Sequence, residues 1–137
     1  MSRLYEFELS KGAKNVVYDL AKIQPEERVV VTADTLCDDA VINAVTGAVH
    51  AAGAKVIVIW YPAPGGVGKD ADKDISYQAI GEAIGASDVW LEFGYNWILY
   101  STAQEIALSR NPKLRHLCLT GMNTDMFIRL VANSDAE

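Results

Sequence analysis

Three shortages narrow this sequence before any motif is considered. Cysteine is nearly absent: Cys37 and Cys118 are the only two in 137 residues and lie far apart. With no signal-peptide pattern beside them, a disulfide scaffold has no support, and a soluble, reducing, cytoplasmic setting is the expectation. Histidine is as scarce. Neither His50 nor His116 stands at ligand spacing with another strong metal ligand, so metal binding by this chain alone is poorly supported. Basic charge is short as well: 12 Lys and Arg face 18 Asp and Glu, for a net charge of -6. No basic stripe interrupts that balance, which argues against a nucleic-acid partner. The apolar stretches are also too short to span a bilayer.

What is present is a repeated unit. Half of the residues are hydrophobic, enough for one real core at the commonest domain size, so residues 1–137 are read as a single α/β domain. The clearest unit starts at Arg28-Val29-Val30-Val31-Thr32-Ala33-Asp34-Thr35. Adjacent valines without in/out alternation mark a strand covered on both faces, as in a parallel sheet flanked by helices. A helix then starts near Asp38 or Asp39 and runs to about Ala52, with Val41, Ala44, Val45, Ala48 and Ala52 on one stripe, His50 opposite it, and Gly53 as the cap.

The cadence repeats along the chain. Residues 55–60 form a second β-branched strand, parallel to the first through a crossover. Residues 62–74 read as a long loop, mobile or lid-like, and a helix follows at about 75–84. A third strand covers 88–93 and a fourth covers 114–119. Between them, Ser101 with Gln104 and Thr102 with Glu105 offer overlapping capping boxes for a helix that Asn111-Pro112 stops. Ahead of the first strand, Ala13, Val16, Val17, Leu20 and Ala21 recur at helical spacing. After the fourth strand, a last helix turns Phe127, Leu130 and Val131 inward. The fold class is therefore a three-layer α/β/α arrangement with a four-stranded parallel sheet, Rossmann-like or flavodoxin-like, in the order 2-1-3-4.

Most individual motifs have ordinary structural explanations. Pro64-Gly65-Gly66-Val67-Gly68-Lys69 resembles a phosphate-binding loop, but Ala63 and Asp70 stand where that motif needs Gly and Ser or Thr, and the aspartates that follow would repel phosphate. Asp38 and Asp39 suit a helix amino end better than a Mg²⁺ site. Cys37 has no base close in sequence and reads as structural. His116 lies away from the strand carboxyl ends and reads as a hydrogen-bonded structural residue. Glu92, in an apolar strand, must be either paired or at the rim of a cleft. Trp60, Tyr61, Phe93, Tyr95, Trp97 and Tyr100 all fall at the same end of the sheet, where they would line a cleft or await another domain or subunit.

Four stretches together carry a resemblance. These are Val29-Val30-Val31-Thr32-Ala33-Asp34-Thr35, Ala51-Ala52-Gly53-Ala54-Lys55-Val56, Ala86-Ser87-Asp88-Val89-Trp90 and Leu119-Thr120-Gly121-Met122-Asn123-Thr124-Asp125-Met126. In order and spacing they resemble the amino-terminal domain of the thermophilic aminopeptidase, leucyl-aminopeptidase-like family, which includes the 2,5-dihydroxypyridine ring-cleaving dioxygenases. The resemblance implies an α/β domain packed over a carboxy-terminal domain that supplies the metal ligands, and no metal ligand transfers to a residue here.

The expectation that follows is a non-metal small subunit or domain of a metal-dependent enzyme acting on a small organic molecule. Hydrolysis is the first reaction class and oxidative ring cleavage the second. No cofactor is expected in this chain itself; a divalent metal, Fe, Zn or Mn, would come with a partner subunit or domain. The start at Met1 and the polar finish favour the subunit form. Asp34, Thr35, Tyr61, Glu92, Tyr95, Asn96, Thr120 and Gly121 would shape one wall of a shared substrate cleft without breaking bonds. A homo-oligomer that builds its site between copies, and a non-catalytic module holding a small ligand at the switch point, are the other readings.

Overall fold

A computed structural model describes residues 6–132, with the side chains of Leu130 and Ala132 excepted. Four parallel strands, β1 (Arg28–Asp34), β2 (Lys55–Tyr61), β3 (Val89–Glu92) and β4 (Arg115–Cys118), form one sheet in the order β2-β1-β3-β4. That is the order expected from the strand–helix cadence. In register, Val30 stands between Ile57 and Trp90, and Leu91 faces Leu117.

Helices cover both faces. Helix α1 (Glu6–Lys14), α2 (Asp39–Ala51) and α5 (Thr124–Phe127) lie on one side; α3 (Tyr77–Gly85) and α4 (Thr102–Arg110) lie on the other. Side-chain alternation along β1 explains the two cores: Val29, Val31 and Ala33 pack under α1 and α2, whereas Val30 joins Trp90 and Tyr61 beneath α3 and α4. Asp34, on the parity of Val30 and Thr32, therefore lies on the α3/α4 face at the strand's carboxyl end.

Several local expectations change in the structure. The leading helix continues past Lys14 as a π-helical segment, Asn15–Leu20, with the Ala21 amide donating to the Val16 carbonyl at 2.8 Å. The wider turn rotates the face by about one residue. Val16 and Val17 stay buried while Leu20 swings out to 41% exposure. On α2 the buried positions are Val41, Ile42, Val45 and Val49, with Ala44 and Ala48 only half-buried. This helix is wedged between the sheet and α1, so its buried face is broader than the single stripe anticipated.

The segment 62–74 is not a featureless loop. It holds a 3₁₀ helix, Gly68–Asp74, and Asp72 reaches across to accept the Thr102 amide at 2.9 Å. Asp72 thus caps α4 in place of the capping boxes: Ser101 makes no side-chain cap, and its hydroxyl is buried without a partner among the described residues. Helix α3 starts at Tyr77, two residues later than the apolar spacing suggested, because Ile75 and Ser76 remain extended or irregular. It then lies very close to α4. A Cβ added to Gly81 would sit 2.7 Å from the Ala103 carbonyl oxygen, so the two helices meet at a distance that only glycine permits.

The last helix agrees with its pattern where it is described: Phe127 and Val131 are buried, and Leu130 lies outside the described side chains. Among the described residues no helix is long and apolar enough to cross a membrane.

Candidate functional site

The carboxyl ends of β1 and β3 lie side by side, and each ends in a fully buried carboxylate, Asp34 and Glu92. A buried charge of that kind needs strong hydrogen-bond donors. The chain supplies them from its own backbone. Asp34 accepts the Leu36 amide through one oxygen at 2.9 Å and the Asn96 amide through the other at 3.0 Å. Glu92 accepts the amides of Ile98 and Leu99 on a single oxygen, at 2.8 and 3.1 Å. Its second oxygen lies 2.9 Å from His116 Nε2 on the neighbouring strand. The two carboxylates therefore hold the same segment, residues 93–101, by three of its amides.

The surroundings tighten this arrangement. The His116 ring stacks on Trp90 with centroids 3.9 Å apart and planes 5° from parallel. Trp90 in turn donates its indole N–H to the Thr32 hydroxyl at 2.9 Å. Tyr61 is buried, and its hydroxyl has no hydrogen-bond partner among the described residues. Burial, followed by the negative charges of Glu92 and Asp34, drives its pKa well above the ordinary tyrosine value. Gly94 is required beside it, since a Cβ there would fall 2.7 Å from the Tyr61 hydroxyl oxygen and 3.4 Å from an Asp34 oxygen.

The segment held this way carries aromatic rings outward. Tyr95, Trp97 and Tyr100 are 55%, 40% and 70% exposed. Tyr100 adopts a φ of 69°, a left-handed conformation that costs a tyrosine energy and that persists only where the surroundings enforce it. The Gln104 side chain accepts its amide at 2.7 Å. The expected aromatic cluster is thus divided: Tyr61 and Phe93 are core, while Tyr95, Trp97, Tyr100 and, on the edge strand, Trp60 remain at the surface.

Of the eight residues singled out from sequence, the structure brings six to this segment. Asp34, Tyr61, Glu92 and Asn96 adjoin the held segment. Thr35 sits at its margin, exposed, accepting the Ala63 amide through its hydroxyl at 3.0 Å and donating its own amide to the Tyr61 carbonyl at 3.2 Å. The Asn96 side chain donates to the Pro64 carbonyl at 2.7 Å, tying the segment to the one after β2. Tyr95 projects from the same segment. Thr120 and Gly121 follow β4, and among the described residues no hydrogen bond connects them to the Asp34–Glu92 group; Thr120 accepts only a long contact from the Cys118 thiol.

Two partners went unrecognised in sequence. The sequence marks His116 as a hydrogen-bonded structural histidine but does not name its acceptor, and it assigns Trp90 no role beyond its place in the third strand. Trp90, two residues before Glu92 on the same strand, and His116, opposite Trp90 on the next strand, share a face with Glu92, and that parity was the available signal.

Other candidates resolve into structural roles. Lys69 of the glycine-rich stretch is taken up by Glu105, at 2.8 Å from one carboxylate oxygen, and by Thr102 at 3.1 Å. It therefore faces α4 and not a phosphate cradle. Asp38 caps α2 through the Ala40 amide at 3.0 Å and also accepts the Thr124 amide and hydroxyl at 2.8 and 2.6 Å. Burial pushes its pKa up, but these three bonds outweigh burial and hold it below the usual aspartate value. Cys37 donates to the Phe93 carbonyl at 3.2 Å, and burial aided by the Asp34 charge raises its thiol pKa to about 11. A thiol so placed is a poor nucleophile near neutral pH.

Among the described residues no three of His, Cys, Asp and Glu come together as metal ligands. The acids best placed are already engaged: both Asp34 oxygens accept backbone amides, and Glu92 divides its oxygens between two backbone amides and the His116 ring. Among the described residues, this leaves no set of side chains that fits a metal site.

Two solved structures share the architecture. The chain is similar to the 2,5-dihydroxypyridine dioxygenase from Pseudomonas putida KT2440, with a TM-score of 0.70 and 19% identity over 92% of this chain and 37% of that one. It is also similar to wild-type AmpT from Thermus thermophilus, with a TM-score of 0.57 and 12% identity over 93% of this chain and 42% of that one. At such identities the likeness establishes the fold. The chain spans about two-fifths of the length of either protein. No protein-family model and no curated protein matches it.

Proposed function

We propose that this chain is the non-metal part of a two-part, metal-dependent enzyme, forming one wall of a cleft for a small organic substrate. One observation carries the reading: two buried carboxylates at the carboxyl ends of adjacent parallel strands are committed to rigidifying a segment that presents exposed aromatic rings. In open α/β sheets that end is where ligands bind. A surface held by buried ionic hydrogen bonds is preorganised for contact rather than for chemistry. The remaining wall, with Fe, Zn or Mn, would belong to a partner subunit or domain. This is consistent with the chain covering under half the length of the two similar structures.

The aromatic rings bear on reaction class. Tyr95, Trp97 and Tyr100 suit a flat, apolar substrate, and this favours aromatic or heterocyclic ring cleavage over the aminopeptidase-like hydrolysis expected from sequence. Thr35, Asn96, Thr120 and Gly121 would set the margin of the cleft.

The test is purification of the endogenous protein under native conditions, followed by metal analysis and assay of 2,5-dihydroxypyridine and of leucine p-nitroanilide. A co-purifying metal-bearing chain with turnover of either compound is the expected result, and loss of that turnover in a Tyr95→Ala, Trp97→Ala double variant would place the rings at the cleft. Isolation of the chain alone, free of metal and inactive on both, would overturn the reading.

A further inference from the structure

The sheet has two edges, and they are treated differently. Strand β4 presents four residues, and Arg115 at its start is drawn to Glu27 and to the carbonyls of Ala21 and Lys22. Strand β2 presents seven residues. Backbone direction along β2 follows from two hydrogen bonds: the Lys55 amide donates to the Glu27 carbonyl at 2.7 Å, and the Tyr61 carbonyl accepts the Thr35 amide at 3.2 Å. Odd-numbered residues therefore turn their backbone groups toward β1, and Val56, Val58 and Trp60 turn theirs away from the sheet.

We propose that the outer edge of β2 pairs antiparallel with β2 of a second copy of this chain, about a two-fold axis at Val58. The strand is self-complementary in this register. Val58 would exchange both hydrogen bonds with Val58 of the second copy, and Val56 would do so with Trp60 of the second copy, and the reverse. Six inter-chain bonds result, as alternate antiparallel pairs require. On the other face of the strand Ile57 meets Ile59 of the second copy. Pro62, at the next outward position, has no N–H and ends the ladder.

Charge and exposure support this occupant. Although the chain carries a net charge of -6, β2 contains no acid, and its single cation, Lys55, falls opposite Tyr61 of the second copy. No like charges meet along the ladder. Ile57 is 54% and Trp60 46% exposed, and none of the usual edge protections interrupts residues 56–60: no charge, proline or bulge. A seven-residue strand with a helical layer on each side offers a face roughly 23 by 30 Å, or about 700 Å², from standard strand and helix dimensions. That is near the ~800 Å² per partner of a stable interface. The pairing leaves the carboxyl-end aromatic platform free and does not depend on the proposed function.

Sedimentation equilibrium of the full chain, from micromolar to hundreds of micromolar, should give twice the 14.9 kDa mass. Val58→Pro removes an outward donor without cutting a bond to β1 and should yield monomer. If that variant fails to fold, Ile57→Lys, on a half-exposed side chain, should shift the dissociation constant at least tenfold with the melting curve of the monomer retained. Val58→Cys should form a symmetric disulfide on mild oxidation, since paired Cα atoms at about 5.5 Å suit that bond. A wild-type monomer throughout the range overturns the proposal. So does a dimer unaffected by folded Ile57→Lys, or the absence of cross-linking through position 58.

Discussion

Glu92 and His116 lie on adjacent strands, and their side chains meet at 2.9 Å on the α3/α4 face of the sheet. Because Glu92 also holds the amides of Ile98 and Leu99, this pair couples the last strand to the segment that bears the exposed aromatics.

Removing the Glu92 carboxylate should therefore be felt in two places. Glu92→Ala leaves two backbone donors and the His116 ring without their acceptor, and is expected to destabilise the fold by about 3–5 kcal/mol. Glu92→Gln keeps an amide oxygen for the loop and should cost clearly less. Urea unfolding measures the first effect. Hydrogen exchange at Ile98 and Leu99 measures the second and should accelerate more than exchange in α2.

Asp38 and Glu27 make stability depend on acid. The Glu27 pKa is lowered chiefly by its hydrogen bonds with Arg115, and the bonds from Thr124 and Ala40 lower that of Asp38 against the opposing effect of burial. A carboxylate whose folded pKa lies below its unfolded value contributes stability above the unfolded value, and that contribution is lost as pH falls through the folded one. Unfolding midpoints should thus be level near neutrality and fall below about pH 4, where unfolded carboxylates take up protons. In Asp38→Asn that fall should be shallower, from a lower plateau. A midpoint rising on acidification would contradict this account.

The thiols should differ in reactivity. Burial raises the pKa of both thiols, but Cys118 is exposed, whereas Cys37 is half-buried with its pKa raised to about 11. Alkylation by iodoacetamide at pH 8, followed by mass spectrometry, should label Cys118 at least tenfold faster. Labelling of Cys37 should track unfolding as urea is added.

Gly12 sets the packing of α1 on α5. A Cβ there would lie 2.5 Å from Cε2 of the buried Phe127 ring. Gly12→Ala, which would favour an isolated helix, is instead expected to destabilise the protein by about 1–3 kcal/mol through overpacking. Gly47→Ala meets nothing within 4 Å and should stabilise by about 0.5–1 kcal/mol. Thermal melting of the two variants decides between them.

The sequence by itself determined the sheet and its coverage. Runs such as Val29-Val30-Val31 and Ile57-Val58-Ile59 permit few other structures, and their spacing by helical patterns made the strand order legible. It also marked Asp34, at the carboxyl end of its strand beside the expected switch point, and Glu92, because a carboxylate in an apolar strand needs a partner or the rim of a cleft. Tertiary structure alone decided who those partners are. Apart from the local Leu36 amide, the donors come from amides at residues 96, 98 and 99 and from His116, and backbone amides have no sequence signature. Asp72 replaced the local capping boxes of α4 for the same reason: a side chain 30 residues away reached the Thr102 amide first. Exposure was equally a matter of packing. Nothing in residue type separates Tyr61 from Tyr100, yet the fold buries one beneath α3 and α4 and turns the other outward on a segment fixed by two buried charges.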